Sequence, residues 1–257
     1  MIISIITCTK NSEGFVRDLL DSVITQNYKS IEHIFVDGYS NDKTTYFLNE
    51  YRKKANFPVK IYRRKPRGIS DAMNFAVKKS KGDFLLFVQS NDCIYKNSLK
   101  NASKILNRRN VDFLIGRTIY INESGVKLGI RPNYIKFLIL KLFPRFFIQL
   151  ENFVPHPSTF IRRTIFNRNK YDLSLKYAMD YELWLKSFPD SKIHVCSLIF
   201  SLFRFHDGGV SSNPKNKIQF IQEEREIREK NVSNFILFLN RTVVYPIINR
   251  RLGVSIK

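Results

Sequence analysis

The sequence predicts an α/β fold in which helices flank a mainly parallel central sheet, followed by a helical extension at the C-terminal end. Over roughly the first hundred residues, short β-branched and apolar runs alternate with segments of helix length, a pattern typical of βαβ units around a parallel sheet. Each apolar run ends in polar or small residues. After about residue 131 the alternation loosens into long apolar segments with interspersed basic residues.

The α/β pattern places four strands near residues 2–7, 32–36, 59–62 and 84–88, and three helices near residues 12–26, 42–54 and 69–79. The third helix has apolar residues at helical spacing. In an open α/β sheet, ligands bind beyond the carboxyl ends of the strands. Those ends carry Thr7, Thr9, Asp37 and residues 90–92, so we expect the functional site there.

Composition excludes disorder and leaves several partner classes open. The hydrophobic fraction of 44% and the charged fraction of 25% are ordinary for a globular chain of 257 residues, which is long enough for one catalytic domain. The net charge of +21 attracts polyanions of every kind. Zinc-finger spacing and an RNA-recognition signature are absent from the sequence, and the basic residues are spread along it, so nucleic acid is not an expected partner.

Cysteine usage and the first residues predict a cytoplasmic protein. Three widely separated cysteines argue against a disulfide framework or a zinc site and fit a reducing compartment. The first residues are apolar but lack a charged region and a cleavage site, so they indicate a buried strand rather than a signal peptide. We find no run of about 20 apolar residues and predict no transmembrane helix.

Two apolar, basic segments allow a membrane contact. Residues 133–150 are strongly aromatic with interspersed basic residues; they fit a helix lying on a membrane, or a core helix broken at Pro144 whose basic side chains extend to solvent. Residues 235–253 fit an interfacial helix drawn to anionic lipid, or packing against a partner subunit in an oligomer. The basic residues concerned are Lys136, Lys141, Arg145, Arg241, Arg250 and Arg251.

Six motifs follow one another in the sequence: SIITCTKNS, IEHIFVDGYSNDKT, RRKPRGISDAMNFAVKKSKGDFLLFVQSND, VPHPSTFIRRTIF, YAMDYELWLK and FRFHDGGVSS. In this order and at these separations they resemble the family 2 glycosyltransferases, particularly the bacterial branch that builds capsules, exopolysaccharides and lipopolysaccharide. The resemblance covers about residues 1–212, which it implies form a GT-A, Rossmann-like domain, and leaves residues 213–257 as a basic amphipathic helical tail.

The resemblance implies a donor site for a nucleoside diphosphate sugar, with a UDP-sugar favoured. Thr7 and Thr9 belong to the nucleotide-contacting turn, and Asp37 is expected to recognise the base. Considered alone, Asp37 fits a cap of the following turn, which is rich in turn formers. By the same resemblance Asp71 lies in the donor pocket and Arg67 holds phosphate.

The QSND segment takes the place of the family's Asp-X-Asp element, which holds Mg²⁺ or Mn²⁺ against the donor diphosphate. Asn91 stands where an acidic residue is more frequent, while Asp92 remains as the metal ligand. We therefore expect a metal site with fewer protein ligands. His206 completes the coordination or touches the diphosphate, or else is a surface histidine in a turn. Ser211 belongs to a loop that closes over the diphosphate.

Asp180 is the expected catalytic base, because inverting transfer needs one carboxylate near the acceptor hydroxyl. Glu182 is a second candidate. Without the resemblance, both fit favourable charge in the first turn of a helix. His156 and Ser158 are expected on the acceptor side, where they bond to sugar; His156 equally fits a buried structural histidine.

Together these residues predict a transferase acting on a glycan or lipid-linked acceptor in cell-surface polysaccharide synthesis, peripheral at the inner face of the plasma membrane. Two alternatives remain: an inactive partner subunit with the same fold, which the Asn91 departure suggests, and a polyanion-binding protein, which the charge suggests.

Overall fold

The computed structural model describes residues 1–206, 208, 209, 216–244 and 246. The strands in this part of the chain are β1 (Ile3–Thr9), β2 (Ile31–Asp37), β3 (Val59–Arg63), β4 (Phe84–Phe87), β5 (Cys93–Ile94), β6 (Phe113–Ile121), β7 (Lys127–Arg131), β8 (Thr159–Arg162) and β9 (Ile193–Arg204). The helices are α1 (Val16–Ile24), α2 (Thr44–Lys54), α3 (Ile69–Lys79), α4 (Ser98–Arg108), α5 (Tyr134–Leu142), α6 (Pro144–Leu150), α7 (Ile165–Arg168), α8 (Met179–Ser187), α9 (Lys217–Asn231) and α10 (Asn234–Leu239). A short 3-10 helix spans His156–Ser158, and a π-helical turn spans Asn240–Val244.

The strands form one mixed sheet in the order β3-β2-β1-β4-β8-β6-β9-β5, with β7 paired to β6. The pairs among β3, β2, β1 and β4 are parallel, as are β6 and β9. β8 runs antiparallel to both of its neighbours. The expected N-terminal strands and helices form at the predicted places, and the predicted α/β class is confirmed.

Each face of the sheet is covered by its own apolar cluster, as a parallel sheet requires. α1, α2 and α4 pack on one face through residues such as Leu19, Leu48 and Leu99. α3, α5, α6 and α8 pack on the other. Along β1, Ile5 faces the first cluster and Ile6 the second, because successive side chains of a strand point to opposite faces.

Trp184 fastens α8 to the sheet. Its ring lies edge-on to Phe113 of β6, with 5.7 Å between ring centroids, and 5.8 Å from Phe188. The Trp184 side chain is fully buried. Aromatic pairs in this geometry stabilise a core by more than the burial of their surface area alone. The contact therefore fixes α8 against the sheet.

Residues 133–150 form two helices rather than one, with Pro144 as the first residue of α6. Proline is favoured at that position because the amide it lacks has no partner in the first helical turn. Phe137, Leu140 and Ile148 from these helices are buried, while several of their neighbours stay exposed. No helix in the described ranges is both long and apolar enough to span a membrane.

The described part of the C-terminal tail packs onto the rest of the molecule. α9 contacts α8, and α10 contacts α6. Asn240 Nδ2 donates to the Gln149 carbonyl oxygen at 3.2 Å. The predicted domain boundary at residue 212 lies outside the described residues, and the division into two parts remains a prediction.

Gly116 marks a close approach of β6 to β9, where the register of the pair shifts. A Cβ at Gly116 would lie 2.3 and 2.6 Å from two Phe200 ring carbons and 2.7 Å from the Leu198 carbonyl oxygen. Gly116→Ala should therefore lower the free energy of unfolding by about 1–3 kcal/mol, the usual cost of overpacking. Urea unfolding followed by circular dichroism measures it.

Gly129→Ala on β7 is the matched control, because a Cβ there meets no atom within 4 Å. Its free energy of unfolding should stay within about 0.5 kcal/mol of the wild-type value. Equal stability of the two variants would contradict the packing of β6 on β9.

Candidate active site

A cleft of about 1100 Å³ opens at the carboxyl ends of β1, β2 and β4. Eight predicted site residues line it: Thr9, Arg67, Asp71, Asn91, Asp92, His156, Asp180 and His206. Four others, Thr7, Asp37, Ser158 and Glu182, are buried outside the cleft lining. Ser211 lies outside the described residues. The cleft therefore joins strand ends from the first half of the chain to residues from its second half.

Asp37 ties together the strand ends beneath the cleft. Its carboxylate is fully buried and accepts hydrogen bonds from Thr9 Oγ1 at 3.0 Å, Ser40 N at 3.0 Å and Ser40 Oγ at 2.5 Å. Arg63 Nε lies 3.6 Å from Asp37 Oδ2. These are the contacts of a turn cap, while Thr9 and Gly38 line the cleft beside it; base recognition by Asp37 remains a prediction.

Thr7 belongs to a buried hydrogen-bond chain and not to the cleft wall. Its hydroxyl donates to the Val88 carbonyl oxygen at 2.7 Å, so it accepts from His33 Nε2 at 3.0 Å. His33 Nδ1 then accepts from the Tyr51 hydroxyl at 2.8 Å. Burial lowers the pKa of His33 to about 3, which agrees with a neutral ring that joins β1, β2 and α2.

One wall of the cleft is basic. Arg64, Lys65 and Arg67 connect β3 to α3 and line the cleft. Gly68 follows with a φ of 100°, a conformation that glycine adopts without strain, and α3 begins at the next residue. The positive end of a helix dipole and three basic side chains thus share one wall, which is a favourable place for phosphate groups.

Asp71 lies in the first turn of α3, where its charge favours the helix. Its Oδ2 lies 3.4 Å from Arg64 Nη1. The Arg64 guanidinium also lies over the Phe75 ring at 4.1 Å. The carboxylate and the ring together orient Arg64 along the cleft wall.

Asp92 is buried at the back of the cleft, with 2% of its surface exposed. Its Oδ1 accepts a hydrogen bond from Arg204 N at 3.0 Å. Burial raises the pKa of Asp92 to about 7, against the opposing effects of that hydrogen bond and of the Arg204 charge. A cation beside the carboxylate would favour its ionised form.

Arg204 organises this region, although sequence reasoning missed it. The side chain is almost fully buried, and it donates to the carbonyl oxygens of Asn91 at 3.1 Å and Glu123 at 2.6 Å. Its Nη2 pairs with Asp18 of α1 at 2.6 Å. The available signal was an arginine inside the apolar strand sequence SLFRF. A side chain at such a position is expected to be buried, and a charged one is buried only when it is paired.

Asn91 and His206 meet beside Asp92. Asn91 Nδ2 donates to His206 Nε2 at 3.0 Å, and the His206 ring lies 4.9 Å from the Phe15 ring. Within the described ranges, no group of three or more His, Cys, Asp or Glu side chains is arranged to hold a metal ion. The Asp92 carboxylate and the Asn91 side-chain oxygen are oxygen ligands of the kind that Mg²⁺ takes together with phosphate and water, while His206 Nε2 already accepts from Asn91.

Asp180 lies in the first turn of α8 and is half-buried in the cleft wall. Its Oδ1 accepts from Tyr181 N at 2.8 Å. Burial raises the pKa of Asp180 to about 6, and backbone hydrogen bonds partly oppose this rise. A carboxylate with a pKa near neutrality, open to a cleft, is suited to accept a proton.

Glu182 points away from the cleft, since residues two apart lie on different sides of a helix. Its Oε1 pairs with Lys186 Nζ at 2.6 Å, and the residue is 7% exposed. Of the two candidate bases, the structure therefore brings only Asp180 to the cleft.

His156 lines the cleft and is also part of an aromatic cluster. Its Nε2 lies 2.8 Å from the Tyr171 hydroxyl, and its ring stacks on Phe87 with 5.1 Å between centroids. Burial lowers the pKa of His156 to about 3, so the ring is neutral at ordinary pH. Ser158 instead donates to the Arg117 carbonyl oxygen at 2.9 Å inside a buried hydroxyl cluster.

Tyr120 of β6 is a second residue that sequence reasoning missed. It lines the cleft. Burial and the charges of Asp92 and Asp180 raise its pKa, while Arg131 lowers it. The charges of both carboxylates therefore act on the Tyr120 phenol. In the sequence, only the alternation of side chains along β6 indicates which side of the strand Tyr120 occupies.

Comparison with known proteins agrees with this geometry. The model of Glycosyl transferase family 2 matches residues 4–170. An uncharacterised glycosyltransferase of Rickettsia typhi is 27% identical over 225 residues, which are 85% of this chain and 68% of that protein. The poly(ribitol-phosphate) β-N-acetylglucosaminyltransferase TarS of Staphylococcus aureus is 34% identical over 128 residues, which are 49% of this chain and 22% of that protein.

A solved structure shows the same fold. The crystal structure of S. aureus TarS 1–349 in complex with UDP-GlcNAc matches with a TM-score of 0.71 at 26% identity, over 88% of this chain and 65% of that one. The chain thus spans less than two thirds of that crystallised protein and about a fifth of full-length TarS. The GT-A architecture implied by the sequence motifs is confirmed, and since the family model covers well over half of the sequence, the chain belongs to glycosyl transferase family 2.

Proposed function

We propose that this protein transfers a sugar from a nucleoside diphosphate sugar, with UDP favoured, to a hydroxyl of a glycan or lipid-linked acceptor, with inversion at the anomeric carbon. The observation that carries the proposal is the cleft itself, which is lined both by the basic side chains at the start of α3 and by the half-buried carboxylate of Asp180. The similarity to TarS, an N-acetylglucosaminyltransferase whose structure holds UDP-GlcNAc, supports the donor class.

The donor occupies the edge formed by the first strands. Thr9 and Gly38 line the part beside Asp37, where the base would sit. Arg64, Lys65, Arg67 and the amino end of α3 would bind the diphosphate, because its negative charge matches their field. Asp92, with Asn91 and His206, would hold Mg²⁺ or Mn²⁺, which would offset the charge that develops on the leaving diphosphate.

The acceptor enters from the side of α8. Asp180 takes the proton of the acceptor hydroxyl as that oxygen attacks the anomeric carbon, and the bond from that carbon to the nucleoside diphosphate breaks on the opposite face. An α-linked donor then gives a β-linked product. Neutral His156, held by Tyr171 and Phe87, supplies hydrogen bonding to the acceptor sugar without competing for its proton.

A surface beside the cleft supports a membrane location for this reaction. Six exposed side chains on α5, α6 and the residue between them, together with two on α10, form what we call the apolar patch: Tyr134, Ile135, Leu138, Leu142, Phe143, Phe146, Phe235 and Phe238, each 41% to 70% exposed. Such patches are uncommon on monomeric soluble proteins and mark binding surfaces. Lys141 of α5 is exposed, and so is Arg241, which follows α10 by two residues and lies 3.6 Å from Glu229 Oε1. Basic residues next to the patch in the sequence favour anionic lipid at the inner face of the plasma membrane.

UDP with Mn²⁺ should raise the melting temperature by several degrees, since ligand at about 100 times its Kd adds about 2.7 kcal/mol to stability. Asp92→Asn should remove the dependence on Mn²⁺, because the amide cannot supply the negative charge. Differential scanning fluorimetry with UDP, GDP, dTDP and CMP measures this. Asp190→Asn, an exposed carboxylate outside the cleft lining, is the control; silence with every nucleotide would favour an inactive partner or a polyanion-binding protein.

Asp180→Asn should lower kcat by about 10²- to 10⁴-fold, the usual contribution of a general base, and leave the Kd for UDP unchanged. In the wild type, kcat should fall as the pH drops through about 6, because protonated Asp180 cannot accept the hydroxyl proton. Glu182→Gln should keep both the rate and the pH profile. A transfer assay with saturating donor tests all three, and loss of activity in Glu182→Gln alone would assign the base to Glu182.

Phe235→Ser combined with Phe238→Ser should weaken binding to vesicles rich in phosphatidylserine by at least about tenfold, since each exposed phenylalanine contributes roughly 1 kcal/mol or more when buried. Val126→Ser with Leu128→Ser is the control. Val126, next to β7, and Leu128, on β7, are similarly exposed at 60% and 59% but do not belong to the apolar patch. Vesicle co-sedimentation measures binding. Unchanged binding, together with loss of a dimer in sedimentation velocity, would assign the patch to a subunit interface.

A further inference from the structure

The turn that enters α8 is held by a carboxylate from the tail. Glu223 of α9 accepts three backbone hydrogen bonds: from Lys176 N to Oε1 at 2.7 Å, and from Tyr177 N and Ala178 N to Oε2, both at 2.6 Å. The next two residues of the chain are Met179 and Asp180. Hydrogen bonds to an ionised carboxylate are about twice as strong as neutral ones, so this is a firm attachment.

The local sequence cannot hold this turn by itself. The N-cap residue of α8 is Ala178, which makes no side-chain cap hydrogen bond, and alanine is among the poorest residues at that position. Glu223 supplies an acceptor from another helix instead. A second contact reinforces it, since the Tyr177 hydroxyl donates to Gln219 Oε1 at 2.7 Å.

Residues on the turn belong to the cleft. Lys176, Tyr177, Met179 and Asp180 all line it, whereas Glu223 itself does not. Glu223 also lies beyond residues 4–170, where the family model matches. A displacement of this turn would therefore move Asp180 relative to the donor, while the ends of β1 and β2 would stay in place. α3 hydrogen-bonds to the residues just before the turn, from Ser70 Oγ to the Leu175 carbonyl oxygen at 3.4 Å and from Asn74 Nδ2 to the Tyr171 carbonyl oxygen at 2.8 Å.

We propose that Glu223 is a positioning residue for Asp180, and that α9 is part of the machinery of transfer and not an appended tail. The inference rests on the proposed function, in which Asp180 is the base. Holding a reacting group within about 1 Å of its productive place is worth up to about 10²-fold in rate.

Because charges around Asp180 shift its pKa, the role of Glu223 should be visible in the pH dependence of the rate. The negative charge of Glu223 raises the pKa of Asp180, while a hydrogen bond from Asn152 lowers it. Glu224, also on α9, is half-buried; burial raises its pKa to about 7, and its Oε2 lies 3.8 Å from Arg228 Nη2. Other ionisable groups that face or adjoin this end of α8 include Tyr120, Tyr171, Lys176, Tyr177, the Lys136–Glu151 pair and the Glu182–Lys186 pair. Arg145 of α6 binds carbonyl oxygens near the other end of α8.

Glu223→Gln removes the charge and places an amide against backbone N–H groups that need acceptors. We expect kcat to fall by about 10- to 100-fold, and the acidic limb of the kcat profile to move to lower pH because Asp180 loses a neighbouring negative charge. The Kd for UDP should stay within about twofold of wild type, because the donor wall lies on other elements. Hydrogen exchange of a peptide covering residues 172–180 should become faster.

Two further variants separate positioning from general damage. Glu223→Asp keeps the charge but shortens the side chain, so the acidic limb should stay in place while kcat falls less. Glu226→Gln makes the same charge change at an exposed position on α9 and should alter neither the rate, the profile nor the exchange. If Glu223→Gln fails to fold, Glu223→Asp still tests the inference by its kcat and its exchange.

The outcomes distinguish this inference from the proposed function. Wild-type kcat, pH profile and hydrogen exchange in Glu223→Gln, alongside an inactive Asp180→Asn, would overturn the positioning role alone. Full activity in Asp180→Asn would overturn the assignment of the base, and with it the role of Glu223 in transfer. A fall in kcat with an unmoved acidic limb and unchanged exchange in Glu223→Gln would also contradict the proposal.

Discussion

β1 pairs in parallel with β2 on one side and with β4 on the other, and this arrangement positions the half of the cleft in which we propose that the donor binds. Thr9 and Asp37 are partners in the β1–β2 register, so the two strands end level with each other. The hydrogen bond between their side chains, at 3.0 Å, closes that edge. Parallel strands present all their carboxyl ends at one edge, so the glycine-led start of α3 and the segment after β4 face the same space.

The half of the cleft at α8, where we propose that the acceptor binds, is built differently, from long-range packing. β8 runs antiparallel between β4 and β6, and the aromatic contact of Trp184 with Phe113 fixes α8 on that part of the sheet. Glu223 then attaches the turn before α8 from α9. The two halves of the cleft are therefore held by different elements and meet only in the folded chain.

Buried charge links the two halves. Arg204 comes from the end of β9, yet it contacts α1 through Asp18 and the segment after β4 through Asn91. A buried guanidinium is tolerated only when its donors are satisfied, and here carbonyl oxygens and a carboxylate satisfy them. Burial also raises the pKa of the neighbouring Asp92, while the hydrogen bond from Arg204 and its positive charge oppose that rise, so the state of this carboxyl group depends on the charges beside it.

The sequence by itself determined the α/β class, the first four strands and the strand ends at which the cleft opens, because hydrophobic periodicity and strand-end residues are local properties. It also brought Asp92 and Asp180 into consideration through their motifs. Only the tertiary structure decided that Asp180 and not Glu182 reaches the cleft, since helical rotation separates residues two apart. It likewise decided that Thr7 lies in the interior and that Arg204 and Glu223 bond to segments that line the cleft, because their partners lie far away in sequence and no local pattern records which distant backbone groups a side chain will meet.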